Sequence, residues 1–157
     1  MIRVTIWNEY KHEREYEAIG RVYPQGIHGC IAAFLGVEAD FTVRTATFDM
    51  PEHGLTEEVL KETDVLVFWS HALQDAFSDE VAERVREAVL SGMGLVALHS
   101  AHFSKIMKKL LGTSMTLKWK HGEQEKLWCI APTHPIAAGI PEMVEIPKEE
   151  MYGEYFD

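Results

Sequence analysis

Cysteine is scarce in this chain: only Cys30 and Cys129 occur in 157 residues. They form neither a C-x-x-C pair nor a ladder of spacings, which excludes a zinc ribbon or a disulfide scaffold and predicts two buried thiols. Positive charge is also short. Fifteen Lys and Arg against 25 Asp and Glu give a formal net charge of -10, and a surface of that sign repels a phosphate backbone, so no nucleic-acid partner is expected. The one basic cluster, Lys105, Lys108 and Lys109, reads as a solvated helix face. No uninterrupted apolar run approaches about 18 residues, and the N-terminus has no charged-then-apolar leader. No membrane partner is expected, and a cytoplasmic location follows. Internal repeats and low-complexity stretches are missing too. What remains, 46% hydrophobic and 25% charged, is an ordinary globular balance, and residues 1–157 suit one domain with a buried core.

Strand and helix patterns alternate along the first two thirds. "IRVTIW" is a β-branched strand opening onto the polar loop "NEYKHERE", and "YPQGIHGCIAAFLG" places Ile27, Cys30, Ile31, Phe34 and Leu35 at helical spacing before Gly36. "FTVRTATF" alternates as a half-buried strand near the sheet edge should. Thr56 is placed to cap a short helix, and "DVLVFW" is apolar throughout, as a strand covered on both faces should be. In "SDEVAERVREAVLSG", Val81, Ala82, Val85, Ala88 and Val89 share one stripe, with Asp79 and Glu80 at the start. "GLVAL" is a fourth strand. "FSKIMKKLLG" follows as a helix with Phe103, Ile106, Met107, Leu110 and Leu111 turned inward. This order predicts a mostly parallel sheet with helices on both faces. After Gly112 the pattern becomes irregular, with two short strands expected around the glycine of "TLKWKHGEQEKLW".

Open parallel sheets bind ligands outside the carboxyl ends of their strands. Asn8 and Glu9 end the first strand, His71 follows the third, and His99 and Ser100 follow the fourth, with His102 opening the next helix. Three chemistries fit these residues. Ser100 on a strand-to-helix turn is placed like a nucleophile, although the glycines of G-x-S-x-G are missing. His28, His71, His99, His102, Glu9 and Glu123 are types that bind a divalent metal such as zinc, at spacings unlike H-E-x-x-H. Asn, Glu, His and Trp also suit a small-molecule sugar, whose hydroxyls pair with polar groups while its C–H faces stack on rings. Among the tryptophans, Trp7 and Trp69 read as core. His12, His53 and His121 read as exposed loop residues.

The segments "WNEYKHE", "YPQGIH", "LHSAHFSKIMKKLLGT", "LKWKHGEQEKLW", "HPIAAGI" and "EMYGEYFD" resemble, in this order, the signature segments of ThuA-like trehalose utilisation proteins. The resemblance implies a flavodoxin-like fold similar to that of the class I glutamine amidotransferases, and a part in sugar catabolism. It carries a site onto Asn8, Glu9, His12, Glu13, His28, His71, His99, Ser100, His102, Glu123, His134 and Glu154. The expected function is His/Glu acid–base chemistry on a disaccharide or keto-sugar, with His99, Ser100, Glu9 and His71 catalytic and Asn8, His28, His102, Glu123, His134 and Glu154 binding. A non-catalytic sugar-binding subunit using the same cleft is the alternative. Amidotransferase activity is not expected, because His99 and Ser100 stand where that family has its cysteine. Two departures are visible: Gln74 replaces a second histidine three residues after His71, and the family's later Gly-His-Glu segment does not occur. Either the chain is truncated after Asp157 or its cleft lacks one wall. An edge left open in this way would favour a homo-oligomer.

Overall fold

The computed structural model describes residues 1–153. They form two compact units, residues 1–115 and the chain from residue 116 onward. In the first, four strands, β1 (Ile2–Asn8), β2 (Phe41–Thr47), β3 (Val65–Trp69) and β4 (Gly94–Leu98), make one parallel sheet in the order β2-β1-β3-β4. This is the start of a flavodoxin-like order, in which the sheet changes direction between β1 and β3. No helix among the described residues is long and apolar enough to cross a membrane.

Side-chain alternation along the strands creates two cores. Val4, Ile6 and Val67 face one side, where Ile31, Ala32 and Leu35 of α3 (Gly26–Leu35) cover them. Trp7, Leu66 and Phe68 face the other side, against Phe77 and the buried Val81, Ala82 and Val85 of α5 (Asp79–Leu90), with Leu60 of α4 (Glu57–Lys61) and Ile106 of α6 (Lys105–Leu111). Trp7 stacks on Phe68 with centroids 4.4 Å apart, and Phe77 meets it edge-on. Fully burying each large aliphatic side chain in these cores contributes about 1.5–3 kcal/mol. The helices start where their caps dictate. Thr56, Ser78 and Ser104 accept from the N–H groups of Val59, Val81 and Met107, and Gly112, at φ 68°, ends α6 in the left-handed conformation that glycine adopts freely.

Several expectations are corrected. "KHEREYEAIGRV" is two short helices, α1 (His12–Glu15) and α2 (Glu17–Val22), rather than an open loop. Cys30 is exposed, because the partly buried, inward-facing stripe of α3 runs through Ile31, Ala32 and Leu35, and a step of about 100° per residue turns Cys30 and Phe34 outward. Leu111 is exposed at the last turn of α6. His53 is packed rather than idle. It stacks between Phe48 and Phe77, donates from Nδ1 to the Phe48 carbonyl and accepts at Nε2 from the Ser78 N–H.

The second unit is an antiparallel ribbon of β5 (Lys118–Trp128) and β6 (Met143–Gly153). The expected pair of strands around Gly122 is a single strand. Gly122 sits at φ 80° where the register jumps between His121 and Glu123, so it supplies a bulge rather than a hairpin turn.

Candidate functional site

Strand register sets the rim of the first unit. Asn8 lies level with Trp69, and Trp69 with Leu98. The next residues along each strand, Glu9, Ser70 and His99, therefore emerge side by side at the carboxyl edge, about 4.8 Å apart from strand to strand.

Glu9 is fully buried. Its carboxylate accepts from the backbone N–H groups of His71 (2.8 Å), Ala72 (2.8 Å) and Leu73 (3.0 Å), and from the Ser70 hydroxyl (3.3 Å). Three successive N–H groups converging on one anion form an anion-binding turn, filled here by the chain's own side chain. Glu9 thus fixes the turn after β3 across the point where the sheet order reverses. Its Oε1 also lies 3.5 Å from His12 Nδ1, a buried nitrogen with no hydrogen-bond partner among the described residues. The His12 ring stacks on Tyr16 and stands edge-on to Trp69 and His71, with the two imidazole centroids 5.1 Å apart. Trp69 lies parallel to His71. His12, an exposed loop residue by pattern alone but one that the family resemblance carried into the site, is packed among these groups. The only local sign of this was the Glu9-to-His12 spacing of three on a chain turning into a helix.

A second network starts from Asn8, also fully buried. Its Oδ1 accepts from the Tyr10 N–H, which orients the amide, and its Nδ2 donates to Glu13 Oε1 (2.6 Å) and meets His28 Nδ1 (3.1 Å). Glu13 Oε1 also accepts from the Ile27 N–H. With the amide so assigned, His28 Nδ1 is an acceptor, and the neutral ring carries its proton on Nε2. Burial pushes the His28 pKa below the ordinary histidine value, outweighing the charges of Glu13 and Asp49. Gly26, at φ 76°, makes room for this ring: a Cβ there would lie 2.6 Å from His28 Nδ1 and 2.9 Å from Tyr10.

At the end of β4 the strained residue is His99, with φ 47°. It occupies the elbow, exposed, and opens a 3-10 turn (His99–Phe103). Ser100, expected as a nucleophile, turns inward. It is buried, its hydroxyl donates to the Ser70 carbonyl (2.9 Å), and its own carbonyl accepts from Gln74 Nε2 (2.7 Å). Gln74, the departure noted in the sequence, thus ties the turns after β3 and β4 together. His102 Nδ1 donates to the Met115 carbonyl (2.9 Å). Its pKa is lowered by burial first, the carbonyl opposing this and the charges of His99 and Lys108 adding to it.

The first unit therefore brings Asn8, Glu9, His71, His99, Ser100 and His28 to one edge, with His12 added. Glu123 and His134 belong to the second unit. There Glu123 pairs with Lys120, and His134 accepts from the Ile136 N–H at a 3-10 turn (Pro135–Ala137). Glu154 lies outside the described residues. Among the described residues no three His, Cys, Asp or Glu side chains are grouped to hold a metal ion. A hollow of about 510 Å3 between α4 and α5 sits at the other end of the sheet, beside Thr63, Asp64 and Met93, away from these groups.

Residues 3–157 match the family described as ThuA, trehalose utilisation. A solved structure described as ThuA-like, from Bacteroides uniformis, is similar with a TM-score of 0.66 at 16% identity, over 96% of this chain and 60% of that one. That likeness supports the fold, and this chain spans 60% of the length of that protein. No curated protein matches.

Proposed function

The chain belongs to the ThuA trehalose utilisation family, and from this premise we propose that its first unit acts on a disaccharide or keto-sugar by proton transfer at the edge formed by β1, β3 and β4. The observation that carries the reading is the Glu9–His12–His71 cluster: a buried carboxylate 3.5 Å from one imidazole, with a second imidazole 5.1 Å from the first and Trp69 beside both. A carboxylate close behind a histidine can accept from the ring as it moves a proton, and histidine is the side chain suited to moving protons near neutral pH. In this reading His12 takes a proton from the carbon beside the sugar's keto group, and His71 gives one to the carbonyl oxygen. The proton count is thereby conserved. Trp69 and Tyr16 offer ring faces to the sugar's C–H surface. Glu9 is a positioning residue, because its carboxylate holds the turn after β3.

The test is an NMR assay in D2O with trehalose and a keto-trehalose as substrates. Wild type is expected to exchange the proton beside the carbonyl for deuterium. His12→Ala and His71→Ala lose this by about 100-fold or more while still binding sugar.

A second reading, a non-catalytic sugar-binding subunit, is favoured by one observation: Glu9 and Ser100 both spend their polar atoms on backbone groups. Sugar binding by wild type with no deuterium uptake would establish it and sink the first.

A further inference from the structure

On the far side of β1 from the Glu9–His12 cluster, a hollow of about 360 Å3 is lined by Tyr10, His28, Thr45, Ala46, Thr47, Asp49 and Met50. That volume is at the small end of ligand pockets. Strand alternation builds it: Thr45 and Thr47 follow Val43 on the face of β2 that α3 covers, and His28 comes from the first turns of α3. Tyr10 is held in a strained left-handed conformation, φ 51°. Both its backbone groups are pinned, the N–H by Asn8 Oδ1 (3.0 Å) and the carbonyl by Arg14 Nε (2.6 Å). A strained residue persists only where its surroundings over-determine it, and such residues concentrate at ligand sites. Here the strain stands the Tyr10 ring edge-on to His28, with centroids 4.7 Å apart.

The polar groups of the hollow are pre-set. Asp49 Oδ1 accepts from the Thr47 hydroxyl (2.6 Å) and Oδ2 from Arg14 Nη1 (3.0 Å), so the carboxylate has one orientation and lone pairs to spare. The Thr47 hydroxyl and the Arg14 guanidinium also hold the Asp49 pKa below the usual carboxylate value. His28 lines the hollow as well, and the Asn8 network leaves its proton on Nε2. Donor, acceptor, hydroxyls and a ring match a neutral polyhydroxylated ring. An anionic ligand does not fit, because the carboxylate faces it and the nearby Arg14 is already engaged by Asp49 and Tyr10.

We propose that this hollow holds the second, non-reacting ring of an unphosphorylated disaccharide whose first ring lies over His12 and His71. The proposal rests on the acid–base reading above for the position of the reacting ring. Tyr10 and His12 are two residues apart, so their Cα atoms are separated by at most about 7 Å. The hollow and the histidine cluster thus adjoin along one short stretch of chain.

The experiment titrates the whole chain with trehalose, following backbone amides by NMR, and repeats the titration with trehalose 6-phosphate. Saturable shifts are expected at Thr47, Asp49 and Met50 as well as at His71 and Ala72. Asp49→Asn should weaken trehalose about tenfold, and Thr47→Val, which frees Asp49 Oδ1, by about three- to tenfold. The phosphate should bind at least about tenfold more weakly than trehalose in wild type, with the gap narrowing in Asp49→Asn. Trehalose affinity within about twofold of wild type in both variants, with residues 45–50 unmoved, overturns the subsite. So does a wild type that gives no saturable response. Failure of the acid–base reading looks different: His12→Ala would leave deuterium uptake unchanged while the shifts at residues 45–50 persist.

Discussion

Glu9 matters to this molecule through the donors it satisfies. Glu9→Gln keeps the shape of the side chain but turns an NH2 toward N–H groups that were donating to an oxygen. Each buried donor left unmet costs about 1–3 kcal/mol. The variant is expected to lose about 2 kcal/mol or more of unfolding free energy in urea, and the amides of His71, Ala72 and Leu73 should exchange with solvent much faster than in wild type. Unchanged exchange at those three amides would show that the carboxylate does not hold the turn. Glu9 was legible in the sequence as a polar residue at a strand end. Its role was not, because its partners lie 61 to 64 positions away and only the pairing of β1 with β3 brings them together. His12 was marked by the family resemblance but not by local pattern, since its neighbours Trp69 and His71 come from β3 and the turn after it.

Elements are a different matter, because local pattern determines most of them. The apolar runs of β1, β3 and β4 and the stripe and caps of α5 could be read directly, as each rests on residues adjacent in sequence. The errors fell where a local signal has two structural meanings. Gly122 marks either a hairpin or a bulge, and pairing with β6 decides it. Cys30 is apolar but sits one step off the stripe of α3. The elbow after β4 could be placed from the sequence, yet which residue carries the strain could not. With His99 at φ 47°, the backbone itself is testable by comparing His99→Gly with His99→Ala. Both remove the imidazole, and only glycine adopts the left-handed conformation without penalty. The Gly variant should be more stable than the Ala variant by about 1 kcal/mol in urea unfolding. Equal stabilities would mean that the elbow relaxes when the ring is gone.

At the scale of the whole molecule, pH reads out two partly buried histidines. Burial lowers the pKa of His28 and of His102. A base whose pKa is lower in the folded than in the unfolded state binds its proton more readily once unfolded. Its contribution to stability is therefore complete above about pH 6.5, the unfolded histidine value, and is lost as pH falls below that toward the folded value. Asp64, held at about 2 by its Arg3 partner, stays ionised throughout this range and adds no slope of its own. The urea midpoint is expected to fall between pH 6.5 and pH 5, the unfolding free energy dropping by less than about 1.4 kcal/mol per pH unit for each group, because both rings keep a solvent-facing edge. His102→Gln should flatten the profile without abolishing it, since His28 continues to titrate. A midpoint that stays level or rises on acidification would mean that neither ring is kept neutral by the fold. The tautomer assigned to His28, and with it the Nε2–H donor offered to a sugar, would then have to be withdrawn.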